Sequence, residues 1–181
     1  KILATAEKIF GEKGYFETSV AEITLRTGVA QGTFYNYFPS KKAVFDCLIR
    51  EMSSNLRYSI KQAMEGYETF EEKQRAGYFA FFKWVLEHRD LYSIMQHSVF
   101  VDRALYRWYY EKLASGFVRA IKDAIDTGDC KPLNPETVAY CMMGIGQFIG
   151  MRWVLWEGEI VPDDVFDEAM EVIFYGINMK R

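Results

Sequence analysis

The sequence has little of what catalysis and metal binding draw on. Its two histidines, His88 and His97, stand nine positions apart without a recognisable set of ligating neighbours, so no metal site is expected. Three cysteines, Cys47, Cys130 and Cys141, are too few and too scattered for a disulfide framework or a Cys-x-x-Cys site. That usage fits a cytoplasmic protein with reduced thiols. No Ser-His-Asp, phosphate-loop or zinc pattern can be assembled, so neither an enzyme nor a cofactor is expected. No apolar run reaches the roughly 18 residues of a membrane span. The longest candidate, 138–156, is broken by Gln147, Arg152 and three glycines, and no membrane partner is expected. The opening stretch, KILATAEKIFGEKG, is charged throughout and lacks the unbroken apolar region of a signal peptide. It begins on lysine, so it can be a piece of a longer chain.

A strong basic excess is absent as well. The net charge of −3 excludes a uniformly basic surface, yet its distribution is uneven. Residues 1–50 hold seven Lys/Arg against five Asp/Glu, and the remainder fifteen against twenty. This permits, without requiring, an N-terminus that faces nucleic acid. Half of the 181 residues are hydrophobic and 17% are aromatic, enough for the core of one compact domain or of a small domain fused to a larger one.

The punctuation then marks helices. Ile2, Ala6, Ile9 and Phe10 recur at helical steps until Gly14 ends the pattern. Ser19-Val-Ala-Glu22 has the form of a capping box opening a short helix that Gly28 stops. A second short helix spans 30–38, closed by Pro39, and Ser40 caps a long one reaching about Met64. Further patterns run over about 70–88, 91–100, 102–126, 135–156 and 163–179, with Pro132, Pro135 and Pro162 in gaps or first turns. Nothing alternates with a period of two for long. The expected fold is all-α, with three short helices, a long connector and five longer helices.

Two short helices around Thr27-Gly28-Val29 have the dimensions of a helix-turn-helix. Phe34 and Phe38, four apart, share a face and can join Ile9, Phe10, Ile23 and Val29 in a small core. Four aromatics within 34–38 cannot all face that core, so Tyr35 and Tyr37 are left outside with Gln31, Gly32, Thr33 and Asn36. Small, amide and hydroxyl side chains at a helix start suit a major groove and its phosphates. Lys41 would add a cation beside the backbone. The alternative for Tyr35 and Tyr37 is a pair of half-buried rings.

Phe10, Gly14-Tyr15, Thr18-Ser19-Val20, Ile23, Gly28-Val29, Gly32-Thr33-Phe34-Tyr35, Tyr37-Phe38 and Lys41 together resemble the DNA-binding domain of TetR/AcrR-type transcriptional regulators. The resemblance covers roughly the first 48 residues and implies domains at 1–48, which binds DNA, and 49–181, which binds ligand and dimerises. It implies about nine helices, and a homodimer that represses from a palindromic double-stranded operator until a small hydrophobic or aromatic effector releases it. By position, Gln31, Gly32 and Tyr35 would lie near bases, and Ser19, Thr33, Asn36, Tyr37 and Lys41 near phosphates. Thr24-Leu25-Arg26-Thr27 stands where the family more often has Ala-x-x-Ala, and Arg26 is a candidate for one more phosphate contact.

The larger part is less specific. Its aromatic density exceeds what helix faces need, and Tyr78, Phe82, Met95, Trp108, Tyr109, Met142 and Gln147 are the candidate pocket residues. Glycines within 142–151 suggest close helix approach, since glycine in a helix costs about 1 kcal/mol against alanine. The resemblance assigns 135–156 and 163–179 to a four-helix dimer interface. Its candidate contacts are Gly144, Phe148, Met151, Leu155, Phe166, Met170, Ile173 and Phe174. A rival reading keeps the helical fold and small-molecule binding without an operator.

Overall fold

The computed structural model describes residues 1–177, and among these the chain is all-α with no strand. In chain order the helices are α1 (Ile2–Glu17), α2 (Val20–Thr27), α3 (Gln31–Tyr37), α4 (Lys41–Met64) and α5 (Phe70–Glu87). They continue as α6 (Arg89–Val101), α7 (Arg103–Thr127), α8 (Pro135–Ile149), a π-helical extension over Gly150–Glu157, and α9 (Asp163–Tyr175). The last helix stops at Tyr175, where Gly176 at φ 77 ends it, short of the expected 163–179; Met179 itself lies outside the described residues. The chain divides into two compact units, one of Lys1–Asn55 with His88–Tyr110, the other of Leu56–Glu87 with the chain from Glu111 onward.

In the first unit, α1 buries Ile2, Ala6, Ile9 and Phe10 and packs on both α2 and α6. The approach to α6 is close: a Cβ on Gly11 would stand 3.1 Å from that of Asp90. Phe45 of α4 meets Phe10 edge-on at 5.7 Å and Tyr15 at 5.0 Å. Helix α1 is kinked at Gly14, which takes φ 84, ψ 169, and a last short turn carries it on to Glu17. Gly28 closes α2 in the left-handed region at φ 72, where its N–H reaches Thr24 O at 2.9 Å; a Cβ there would cost about 1–2 kcal/mol. Thr24 and Thr27, buried where the related pattern has alanine, donate their hydroxyls to Ala21 O and Ile23 O, so burial leaves neither unsatisfied. The capping box is only half formed. Ser19 Oγ accepts from Glu22 N at 3.1 Å, but the Glu22 carboxylate turns to Lys13 and Arg26 instead of returning to Ser19.

Asp102 opens α7 by accepting from the Ala104 and Leu105 amides at 2.8 and 3.0 Å, while its other oxygen takes Lys42 Nζ at 2.6 Å. The lysine hydrogen bond is the largest influence holding its carboxyl below the usual range.

In the second unit, α5 is the hub. Tyr78 donates to Met142 O of α8 at 2.8 Å, and its ring lies where a Cβ on Gly146 would come within 2.7 Å. Phe81 and Phe82 fill the space over Gly150 at 3.4 Å. Phe166 of α9 meets Phe79 and Phe82 at 6.2 and 6.3 Å, and Arg75 reaches Glu71 and Asp167. Two of the three glycines expected to admit another helix are therefore filled by rings of the same chain. Around Gly144 there is nothing within 4 Å. Contrary to the expectation that no stretch is long and apolar enough for a membrane span, Pro135–Glu157, with a mean hydropathy of 1.3, is so by length and composition, because averaging tolerates its Gln147, Arg152 and glycines. Burial of Gly146 and Gly150 under α5 shows that one face of it packs within the chain.

Gly146→Ala should destabilise the chain by about 1–3 kcal/mol because Tyr78 is held at both ends, whereas Gly144→Ala should not, as read by thermal unfolding. Asp102→Ala, which removes cap and ion pair, should cost about 1–2 kcal/mol and more than Asp102→Asn, which keeps a cap acceptor, in urea titrations.

Candidate nucleic-acid interface

The site is built on a helix of seven residues, too short to hold itself together in water. What holds it is Phe34, 0% exposed, with Phe38 half-buried one turn on at 6.1 Å between centroids. Phe34 O accepts the Phe38 N–H at 2.9 Å, which closes the helix before Pro39. With those two rings turned inward, everything else on α3 faces out. Gln31, Gly32, Thr33 and Asn36 are exposed, Tyr35 is 53% exposed and Tyr37 72%. The half-buried alternative for the tyrosines is thereby set aside. No side chain caps α3, and a Cβ on Gly32 would meet nothing within 4 Å, so its first turn stands open. Ser19 is exposed at the start of α2, and its Oγ keeps capacity for a second partner beyond the Glu22 amide.

Two cations expected near phosphates are engaged elsewhere. Arg26 donates to Glu12 at 2.6 Å and Glu22 at 3.1 Å, so its guanidinium is neutralised on the protein surface; the expected extra phosphate contact is not what its geometry serves. Lys41 Nζ is turned onto the end of α1, donating to Tyr15 O at 2.7 Å and Thr18 O at 2.6 Å. Thr18, missed in the sequence, is buried and donates its hydroxyl to Gly14 O at 2.7 Å. A threonine just before a capping serine was the available signal.

The pocket candidates do not form one set within either unit. Tyr78, Phe82 and Met142 come together as buried packing between α5 and α8, with Gln147 half-buried on α8. Met95 and Tyr109 are buried in the other unit, where Trp108 carries the Arg50 guanidinium 4.3 Å above its ring. A surface cleft of about 300 Å³ lined by Lys122, Ile125, Asp126, Pro132, Leu133 and Pro135 uses none of the seven.

Of the interface candidates, Phe148 is 66% exposed and Gly144, Met151, Leu155, Phe166, Ile173 and Phe174 are half-buried. Met170 is corrected: at 0% exposure it is core and has no surface to offer another chain. Phe166 and Phe174 lend part of their rings to α5, the latter through Phe70 at 6.1 Å. The sequence reading missed Tyr140, Trp156 and Tyr175, all exposed on α8, its π extension and α9. The π turn shifts the helical phase, which a 3.6-residue count cannot anticipate.

Residues 2–48 match the profile of the bacterial regulatory proteins, tetR family. Over 167 residues the chain is 26% identical to the HTH-type transcriptional regulator YhgD of Bacillus subtilis (strain 168), covering 90% of this chain and 86% of that one. Its fold is similar to that of the fatty acid degradation regulator FadR from Bacillus halodurans, with TM-score 0.84, 20% identity, and 98% and 94% of the two chains covered. The FadR of Bacillus subtilis, solved in complex with stearoyl-CoA, gives TM-score 0.84 at 18% identity over 98% of each chain.

Phe34→Ala should cost about 3–5 kcal/mol of stability. Tyr35→Ala and Tyr37→Ala should stay within about 0.5 kcal/mol of the parent, since exposed side chains contribute little to the fold. Chemical unfolding of the three variants checks the inward and outward assignment.

Proposed function

We propose, for a chain that belongs to the TetR family of bacterial regulatory proteins, that it is a cytoplasmic homodimeric repressor released from DNA by a small apolar effector. The observation that carries the reading is the division of α3 into one buried ring and an outward set of amide, hydroxyl and phenol groups. Gln31 and Tyr35 address base edges, and Gly32 lets the helix start approach them closely. Ser19, Thr33, Asn36 and Tyr37 grip phosphates on either side. Two such helices in a dimer meet successive major grooves about 34 Å apart on a palindromic operator. A weak positive bias within the first 50 residues supports that orientation despite the overall charge of −3.

The second copy is expected to cover α8, its π extension and α9. Exposed Phe148 and Trp156 support this, and the open space at Gly144 leaves room for a neighbouring backbone. Met151, Leu155, Ile173 and the free parts of Phe166 and Phe174 complete the apolar contact. Among effectors, a long-chain acyl-CoA is the first to test, because FadR of Bacillus subtilis was solved with stearoyl-CoA. Tyr78, Phe82, Met142 and Gln147 in the second unit, and Met95, Trp108 and Tyr109 in the first, remain the candidate contacts. Effector binding then acts through α4, which is continuous from the DNA-binding unit into the second. A coupling of about 1–3 kcal/mol lowers operator affinity roughly 5–150-fold.

Anisotropy with DNA flanking the chain's own gene tests the reading. Binding should be sequence-dependent and weaken with salt, and stearoyl-CoA should reduce it. Gln31→Ala should lose about 1–3 kcal/mol on the preferred sequence and less on others. Sequence-blind or absent binding by a well-folded dimer would overturn the repressor reading and leave a small-molecule-binding helical protein. Phe148→Glu should shift the sedimentation of the dimer to that of a monomer.

A further inference from the structure

The first residue of α4, half-buried, turns its ammonium onto backbone carbonyls at the end of α1. Lys41 Nζ donates to Thr18 O at 2.6 Å, Tyr15 O at 2.7 Å and Phe16 O at 3.4 Å, and sits 4.3 Å from the centroid of the Tyr15 ring. An ammonium has three donors and no acceptor, so these three carbonyls occupy all it has. They are available because α1, kinked at Gly14, ends at Glu17, and the last carbonyls of a helix have lone pairs to be met from outside it. A cation is also favoured there by the helix dipole. Partial burial pushes the Lys41 ammonium below its usual range, with Glu17 pulling the other way.

The carbonyls that Lys41 holds lie immediately before the capping serine of α2. Thr18 is fixed from both sides, its carbonyl by Lys41 and its hydroxyl by Gly14 O. The next residue, Ser19, starts α2, and α2 packs on α3 across the Gly28 turn. We infer that Lys41 is a positioning residue for DNA binding, fastening the start of α4 to the α1–α2 junction and acting on the duplex through Ser19 and α3 without touching phosphate. To reach a phosphate it would have to let go of the junction it holds. The inference rests on the operator-binding reading above, and it replaces the phosphate contact expected of Lys41 from the sequence.

The test uses a duplex selected by the full chain from a random library, with affinity measured from 50 to 200 mM salt, a range chosen because log K falls linearly with log salt. Removing a cation that neutralises one phosphate should reduce the salt slope by about 0.9. Lys41→Met should weaken binding by about tenfold, the loss of one well-made bond to a charged group, with the slope unchanged. Lys41→Arg should not restore it, because a planar guanidinium cannot converge three donors on three carbonyls around one atom. In the free protein, Lys41→Met should speed amide exchange over residues 15–20 and not elsewhere. A slope lowered by about 0.9 together with rescue by arginine would overturn the inference in favour of direct phosphate binding. Unchanged exchange at 15–20, or loss of protection throughout the domain, would overturn it as well. If the parent chain selects no duplex, the operator reading falls and takes this role with it, while a localised exchange change would show that the fastening is a separate fact.

Discussion

The burial of one phenyl ring governs the DNA-facing end of this protein. Helix α3 has seven residues and no side-chain cap, so its intrinsic tendency to form is small. Phe34, sealed completely, supplies the tertiary contact that makes it helical, and the same ring sets its rotation about its own axis. Once that rotation is fixed, the direction of every other side chain on the helix follows from steps of about 100°. Gln31, Thr33, Tyr35, Asn36 and Tyr37 point outward because Phe34 points in. The two threonines of α2 serve the same end: with hydroxyls returned to their own backbone, they pack where alanine would and leave α2 free to hold the turn at Gly28.

How much of this was legible in the sequence depended on how local the determining physics was. Caps and glycine turns at Ser19, Gly28 and Ser40 are short-range signals, and the helices begin or end there. The inward turn of Phe34 follows from spacing alone. The partners of charged side chains were not legible, because Arg26 finds Glu12 fourteen residues away and Lys41 finds Tyr15 across twenty-six. Charge alone would send both to phosphates. A spacing argument says which face a residue occupies and nothing about what opposes it.

The long helices show the same limit on a larger scale. Apolar residues abound on α5, α8 and α9, so composition does not separate those that pack within the chain from those left outside. Tyr78 and Phe82 bind the chain to itself, and the space they occupy explains Gly146 and Gly150 without any second molecule. Met170 resembles its neighbours Ile173 and Phe174 in the sequence and is core in the fold. Phe148 and Trp156 are left outside, the second displaced in phase by the π turn. Only a three-dimensional account distinguishes these cases, because the discriminating quantity is the position of the α5 rings.

Helix α6 lies far along the chain from α1, yet it covers the apolar face of α1 closely enough that Gly11 has little room for a methyl group. The segment 88–110 is thus structurally part of the head that the first fifty residues begin. Anyone grafting this head onto the body of a relative would therefore need three junctions instead of one. A chimera joined only after residue 48 would pair α1 with a stranger's sixth helix, and a bulkier residue opposite Gly11 would force α1 away from it. Modularity in this chain follows the folded contacts and runs against the order of the residues.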